Sequence, residues 1–276
     1  MAAHGSANQP GQAVEWLPFF TGAIVAMLNT LSSTLASTAR AWRGSLAFKP
    51  ASRQPEKLLE LYEFEGCPFC RLVRETITEL DLDVLIKPCP KGGTRFRPEA
   101  ERLGGKAQFP YLVDPNTGRQ LYESSDIIDY LYAEYAGRPA PARPLGGAVA
   151  VMGSNAATLL RGLRGMRRRP ARVPDQPLAL YSFESSPFSR PVRELLCEME
   201  IPYILRSFGK AVPQEIGPPW VRTRFFPDMP VCGRNRRAMH EQTGRLQVPY
   251  LVDPNNRQAL YESDAIMSYL KTTYAA

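Results

Sequence analysis

A chain of 276 residues, 44% hydrophobic and 22% charged, has ordinary globular composition and the length for one large domain or two of common size, each with its own core. Five cysteines without even spacing argue against a secreted disulfide framework and for a reducing compartment; a single Cys-x-x-Cys and only two histidines, His4 and His240, argue against zinc or any other metal site. The net charge of +7 is concentrated in one short stretch holding Arg161, Arg164, Arg167, Arg168, Arg169 and Arg172, which suits either a solvated linker or contact with anionic lipid, nucleic acid or an acidic protein face. No aromatic-interleaved basic surface or nucleic-acid motif is present, so nucleic acid fits worst.

The first fifty-odd residues hold one acid, Glu15, among many Ser, Thr and Ala, the composition of an organelle transit peptide or its remnant. Leu17 to Leu28 is mostly apolar but too short and too interrupted to span a bilayer. Leu17, Phe20, Ile24, Leu28, Leu31 and Leu35 recur at three- and four-residue steps and predict an amphipathic helix. Its apolar face must cover its own domain, a partner or a membrane surface, and the lack of a cationic flank favours the first two. Leu58 to Phe64 then predicts a strand, Pro68 to Leu80 a helix with Val73, Ile77 and Leu80 on one face, Val84 to Lys87 a second strand, and Pro98 to Leu103 a short helix. Tyr111 to Val113 predicts a strand ending in an Asp-Pro-Asn turn, Gln120 to Tyr122 its hairpin partner, and Ser125 to Tyr135 a closing helix. The order βαβαββα starts with a parallel pair and ends with an antiparallel one.

The same unit occurs twice. Leu61 to Arg71 (LYEFEGCPFCR) matches Leu180 to Arg190 (LYSFESSPFSR), Phe109 to Asn116 matches Val248 to Asn255, and Leu121-Tyr122-Glu123-Ser124 matches Leu260-Tyr261-Glu262-Ser263. The offset grows from 119 to 139, so the second copy carries about twenty extra residues, placed at 217–236, where the chain is Pro- and Arg-rich and aperiodic. Upstream, Gly22 to Met27 echoes Gly147 to Met152, so each copy is expected to own a leading helix, with Arg138 to Pro144 as the hinge. The expected organisation is α/β: a leader and first amphipathic helix at 1–57, a module at 58–137, a linker with the second helix and basic stretch at 138–177, and a second module at 178–276.

A strand running into Cys-Pro-Phe-Cys at a helix start, a Phe-Pro before a strand, and a Glu-Ser opening the last helix resemble the thioredoxin fold, and more narrowly glutaredoxins and the N-terminal domains of glutathione transferases. Two such modules in one chain, with Pro-Cys-Pro-Lys-Gly at 88–92, resemble the tandem glutathione-transferase-N-terminal-like proteins of plant and algal chloroplasts. The resemblance covers Leu58 to Tyr135 and Leu178 to Tyr274. It implies a chloroplast protein, stromal or thylakoid-associated, with glutathione as co-substrate. The chain departs from a true transferase in having no all-helical second domain.

A cysteine attacks as its thiolate, and Cys67 at a helix N-terminus meets unpaired N–H groups and the positive end of the helix dipole. Pro68 suits the first helical turn, and Arg71 and Arg74 add positive charge. Cys67 is the expected nucleophile and Cys70, one turn inward, the resolving thiol; the alternative is an inert buried pair or half a metal site. From the resemblance, Pro110 is the cis-proline that turns the Phe109 backbone toward Cys67, where it would pair with the cysteinyl part of glutathione. Glu123 and Ser124 would hold the γ-glutamyl end, or Ser124 merely caps the last helix. Lys106 is a further candidate for the glycyl carboxylate. Cys89, after the second strand, is either a second resolving thiol or an ordinary loop residue.

In the second copy Ser186 and Ser189 replace both thiols, so it is no redox centre, although Pro249, Glu262 and Ser263 persist and glutathione or a peptide could still bind. Cys197 is expected in the core and Cys232 in the insertion, without a partner. Two functions follow: a glutaredoxin-like thiol-disulfide oxidoreductase acting on glutathione or protein disulfides through Cys67, or a non-enzymatic assembly factor docking onto a chloroplast membrane protein complex through its leading helices, basic stretch and insertion.

Overall fold

The computed structural model describes residues 17–143, 147–217 and 219–276. The expected leader, with His4 and Glu15, lies outside the described residues, as do the side chains of Leu17 and Phe20 and the end of the expected hinge at Pro144.

Helix α1 (Leu17–Ala39) precedes the first copy, which runs β1 (Leu59–Glu63), α2 (Pro68–Glu79), β2 (Val84–Pro88), α3 (Phe96–Gly104), β3 (Tyr111–Asp114), β4 (Arg119–Leu121) and α4 (Ser124–Ala136). Helix α5 (Ala148–Leu160) leads into β5 (Leu178–Ser182), α6 (Ser189–Glu198) and β6 (Tyr203–Ser207) of the second copy. Between β6 and α8 the second copy adds a 3-10 turn at Pro213–Glu215, ahead of the expected 217–236, and within that stretch the short α7 (Pro219–Phe225), so the extra residues begin earlier than expected and part of the stretch read as aperiodic is helical. Then α8 (Arg234–Thr243), β7 (Tyr250–Asp253), β8 (Gln258–Tyr261) and α9 (Ser263–Tyr274) complete the unit. Each copy is a thioredoxin-like βαβαββα module: β1 and β2 are parallel, with Leu61 beside Ile86, while β3 runs antiparallel to β1 and β4 to β3.

The modules share one sheet. β2 pairs antiparallel with β6, Leu85 opposite Ile204, giving the eight-stranded order β4-β3-β1-β2-β6-β5-β7-β8. A strand edge left open invites stray pairing, and here each module closes the other's. The core is correspondingly continuous, with Leu61, Val73, Ile77 and Val84 in the same cluster as Leu180, Val192, Leu196 and Leu205.

Each copy is preceded by its leading helix, as expected, and the two helices are exchanged in their packing. α1 sits on the second module, where Ser37 Oγ donates to the Ser185 carbonyl at 2.7 Å and Arg190 donates to Ser37 Oγ at 2.8 Å. α5 sits on the first, where Ser154 Oγ donates to the Pro68 carbonyl at 2.7 Å. The two run antiparallel: Arg40, at the end of α1, reaches the Ala150 carbonyl, and Arg161, at the end of α5, reaches the Asn29 carbonyl. After each helix the chain turns back at a glycine with positive φ, Gly44 and Gly165. A Cβ at either would lie 2.7 Å from the Cβ of Glu184 or Glu65, respectively, so close approach as well as conformation requires glycine.

The contact face of these helices is small and polar: Ser33, Ala36, Ser37, Ser154 and Ala157 are buried. The large apolar stripe points the other way. Ile24, Leu28, Leu31 and Leu35 are all exposed, Leu31 to 50%, and on α5 Met152 is exposed to 71%. Of the two readings the sequence favoured, its own domain or a partner, the stripe does not cover its own domain. Small side chains permit close helix packing on the modules, which leaves the bulky residues outside.

Candidate active site

Cys67 is the residue before α2, with extended backbone (φ −75, ψ 123), and its Sγ accepts the Cys70 N–H at 3.3 Å. Pro68 follows at the first helical position, where no N–H is needed. The Cys67 thiol is held down to about 7 by its hydrogen bond with the Cys70 side chain, against burial, with help from the Cys70 and Phe69 backbone and from Arg74. Burial, the bond to Cys67 and its charge push the Cys70 thiol well above the ordinary range. The pair is thus unequal in the sense needed by a nucleophile and a resolving thiol. Cys67 is only 3% exposed and Cys70 not at all, so both thiols are buried and neither stands in an open cleft. The two cavities described, about 390 and 350 Å³, lie elsewhere, one near Phe48 and Arg234 and one near Met229 and His240.

The other expected residues gather unevenly. The Phe109–Pro110 bond is cis, and the Phe109 ring meets Phe64, three residues before Cys67, edge to face at 6.2 Å. Glu123 is exposed, with the left-handed φ of 61 that few glutamates adopt, and Ser124 begins α4 directly after it. Lys106 is exposed, its ammonium over the Tyr122 ring at 4.5 Å. Arg71 is turned toward α5, donating to the Ser154 carbonyl at 2.6 Å, so the guanidinium whose charge acts on Cys67 is that of Arg74. Cys89 is fully buried beside Tyr62, Ala100 and Tyr111; its thiol donates to the Lys87 carbonyl at 3.4 Å, and burial pushes it far up. It shares Phe109 with the site but, among the described residues, bonds to neither thiol.

Four residues that the sequence reading did not place in the site belong beside it. Gln108 donates to the Glu123 carboxylate, and Gln247 repeats this with Glu262, an equivalence visible in the repeat. Arg97 lies over Phe109 at 4.7 Å and donates to the Cys89 and Pro90 carbonyls, placing a cation next to the cis peptide. Arg74, read only as added charge, is fully buried and bonded to Glu63, whose carboxyl is pushed up to about 8 by burial, against Arg74 and with the Cys67 charge adding to the rise.

Arg74 and Glu63 belong to a buried charge network across the two-fold between modules. Glu184 lies 2.9 Å from Arg74, 3.1 Å from Arg193, 3.5 Å from Arg71 and 3.7 Å from Arg190, while Glu65 meets Arg193 at 3.1 Å. At the flanks Arg40 pairs with Glu75 and Arg161 with Glu194. Every member has a like counterpart in the other copy (Glu65 and Glu184, Arg71 and Arg190, Arg74 and Arg193) except Glu63, which is matched by Ser182. The copy with serines at both thiol positions thus also has a serine in place of the carboxyl whose charge bears on the thiols.

In that copy Ser186 Oγ accepts the Ser189 N–H at 3.1 Å, reproducing the cap without a thiol. Val248–Pro249 is cis, and Glu262 has φ 66 just before Ser263 opens α9. Arg236, the counterpart of Arg97, is taken by Glu215 of the insertion at 2.9 Å. Cys197 is buried, its thiol donating to the Gly165 carbonyl at 3.2 Å, and Cys232 is half-buried. Among the described residues no cluster of His, Cys, Asp and Glu is arranged to hold a metal.

The family described as glutathione S-transferase, N-terminal domain, matches residues 61–139 and 180–276. Among solved structures the chain is 28% identical to the Bombyx mori glutathione transferase BmGSTD1, over 31% of this chain and 39% of that one, with a TM-score of 0.28; a second structure of the same transferase, in complex with GTT, is matched over 30% of this chain and 39% of that one. A Leishmania protein, TDR1, described as a unique trimeric glutathione transferase, matches 80% of this chain and 68% of its own at 14% identity and a TM-score of 0.25. The chain thus spans about two fifths of the silkworm enzyme. No curated protein matches it.

Proposed function

The chain belongs to the glutathione S-transferase N-terminal domain family in both its copies, and on that premise we propose that it is a glutathione-linked thiol-disulfide oxidoreductase acting through Cys67. The observation that carries this reading is the inequality of the two thiols: Cys67, at a helix N-terminus, is drawn to about 7, and Cys70 one turn inward is pushed up. The Cys67 thiolate attacks the glutathionyl sulfur of a mixed disulfide and expels the protein thiol as its thiolate. The new Cys67–glutathione disulfide is then resolved, either by a second glutathione, yielding oxidised glutathione, or by Cys70, which closes the Cys67–Cys70 disulfide and releases reduced glutathione. The cis peptide at Phe109–Pro110, the Gln108–Glu123 pair and Ser124 are the residues we assign to the tripeptide, with Arg97 for its glycyl carboxylate.

Transfer of glutathione to electrophiles is less well supported. Among the described residues, the helices outside the two modules are α1, α5 and the short α7, little from which to build an electrophile pocket. A chloroplast location is part of the same proposal, supported by the acid-poor N-terminal stretch and testable with a fluorescent fusion. The purified protein is expected to reduce a glutathionylated peptide, Cys67→Ser to abolish this, and Cys70→Ser to retain the route through a second glutathione. Loss of activity in neither variant, or efficient conjugation of a model electrophile, would overturn the assignment.

A further inference from the structure

The exchanged helices present a face that the molecule leaves uncovered. Leu28, Leu31 and Leu35 of α1 and Val149, Met152 and Leu159 of α5 are all exposed, and the antiparallel packing of the two helices brings them onto one surface. With their neighbours they expose on the order of 1,000 Å² of apolar area, whereas the largest apolar patch on a typical monomer is about 300–600 Å². Neither helix contains a single charged residue. Trp42, directly after α1, is 43% exposed at one end of the pair.

Area alone would suit a second copy, a partner protein or a bilayer, and charge separates them. The two stretches that supply this face, 16–55 and 135–174, hold twelve Arg and Lys and no Asp or Glu, against a whole-chain charge of +7, so the rest of the molecule is net negative by five. Arg40 and Arg161 are neutralised in the core by Glu75 and Glu194, and Arg43 by Glu79. Arg164, Arg167, Arg168, Arg169 and Arg172 are exposed; Arg168 pairs with Glu200 and Arg169 with Glu198, which leaves Arg164, Arg167 and Arg172 without an acidic partner among the described residues, and Arg164 lies at the end of α5 beside Asn29 of α1. A second copy would bring the same positive charge to the same place and be repelled. An anionic surface would be drawn to it.

We propose that the α1–α5 face is a membrane-docking surface that seats the protein in one leaflet of an anionic bilayer, its apolar side chains entering the acyl boundary and the arginines meeting lipid phosphates. Trp42 then lies at the headgroup level, where an indole with an apolar body and a polar N–H is favoured. No helix among the described residues is long and apolar enough to cross the bilayer, so docking is in-plane. The inference does not depend on the thiols and stands or falls separately from the redox assignment.

The test is flotation of the full chain with vesicles of phosphatidylcholine alone and of equimolar phosphatidylcholine and phosphatidylglycerol, at low and high salt. Binding is expected to the anionic vesicles, to weaken at least tenfold at high salt, and to fall at least tenfold in Leu31→Glu/Met152→Glu. Both positions are exposed, so an unchanged melting temperature checks the fold. Arg164→Glu/Arg167→Glu, which leaves the apolar face intact, is expected to lose the preference for anionic over neutral vesicles. Absence of flotation with anionic vesicles overturns the proposal, as does flotation that Leu31→Glu/Met152→Glu leaves unchanged. A concentration-dependent dimer that this variant abolishes would assign the face to a second copy, and a stoichiometric protein partner lost in the same variant, without lipid binding, would assign it to that partner. Either result overturns the lipid assignment.

Discussion

Removing the Glu184 charge tests whether the two modules are one structure. Glu184 lies within 3.7 Å of four buried arginines, two from each module. With Glu65 it opposes Arg71, Arg74, Arg190 and Arg193, while Glu63, pushed up to about 8, is largely protonated at neutral pH, so the network already carries two surplus positive charges; Glu184→Gln leaves four guanidinium groups against one carboxylate. Stripping a buried charge of its partner costs about 3–5 kcal/mol. For a domain of this size that lowers the melting temperature by roughly 2 °C or more per kcal/mol, hence about 6–10 °C here. The pH dependence has a definite sign. The arginines hold the Glu184 carboxyl below the ordinary carboxylate range despite burial, so its contribution is complete above the unfolded-state pKa of about 4.3 and disappears as pH falls further. The deficit of Glu184→Gln should be full at neutral pH and shrink in acid. Arg190 supplies the internal control: burial draws it down to about 10, and its Nε and Nη1 have no hydrogen-bond partner. Adding Arg190→Met removes one of the surplus positive charges and should recover on the order of 1 kcal/mol of the loss. Calorimetry and urea titration of the four proteins give the numbers. A loss under about 1 kcal/mol in Glu184→Gln, or a double variant less stable than the single, would refute the reasoning.

Alkylation of native protein by iodoacetamide should report Cys67 with a midpoint near pH 7, while Cys70, Cys89 and Cys197, all pushed up, stay silent until the chain unfolds. With Cys67 only 3% exposed, the plateau rate should fall below that of a small free thiolate; a rate equal to it would mean the site is more open than the structure shows. Glu63→Gln should leave the midpoint near 7, since Glu63, pushed up to about 8, is largely protonated there and puts little negative charge beside the thiol; a large shift would show that Glu63 is ionised beside Cys67. The same variant should flatten a stability slope: Glu63, pushed up to about 8, binds a proton in the folded state that the unfolded chain has released, so wild-type stability should fall as pH rises from about 4.3 to 8. Gln108→Ala should raise KM for a glutathionylated substrate about tenfold, the worth of one charge-assisted hydrogen bond, and leave alkylation of Cys67 unchanged. A change in kcat alone would place Gln108 outside the glutathione site.

The modules were legible because their signals are local. The strand before Cys67, Pro68 in the first turn and the Asp-Pro-Asn turns at 114–116 and 253–255 each fix a few neighbouring residues, and the repeat doubles every such signal. What could not be read is what passes between copies. Pairing of β2 with β6 depends on two edges meeting, and each strand's pattern of buried and half-buried residues would serve equally well at an edge or in the middle of a sheet. The orientation of α1 was misread for a physical reason: periodicity locates an apolar face without saying which face the molecule will use. Here Ser33, Ala36 and Ser37 let the helix approach the second module closely and reach its backbone, a fit that the leucines would prevent. Arg71 and Arg74 read only as positive charge added near Cys67; the exchange and the shared sheet enclose them together with Arg190 and Arg193.

That enclosure gives the thiol-free copy a reason to persist. Serines at both thiol positions cost it little structurally, because Ser186 still accepts the Ser189 N–H in the turn that leads into α6. Loss of the copy itself would cost the first module Glu184 against Arg74, the β6 strand beside β2 and, through the linker, the helix α5 whose Ser154 and Thr158 hydroxyls hold the Pro68 and Gly66 carbonyls on either side of Cys67. The exchange also places the outer helix face relative to Cys67. α5 holds the loop around Cys67 with its polar face and presents Met152 and Leu159 outward with the opposite one, so whatever seats on the outer face bears on the same helix that holds that loop.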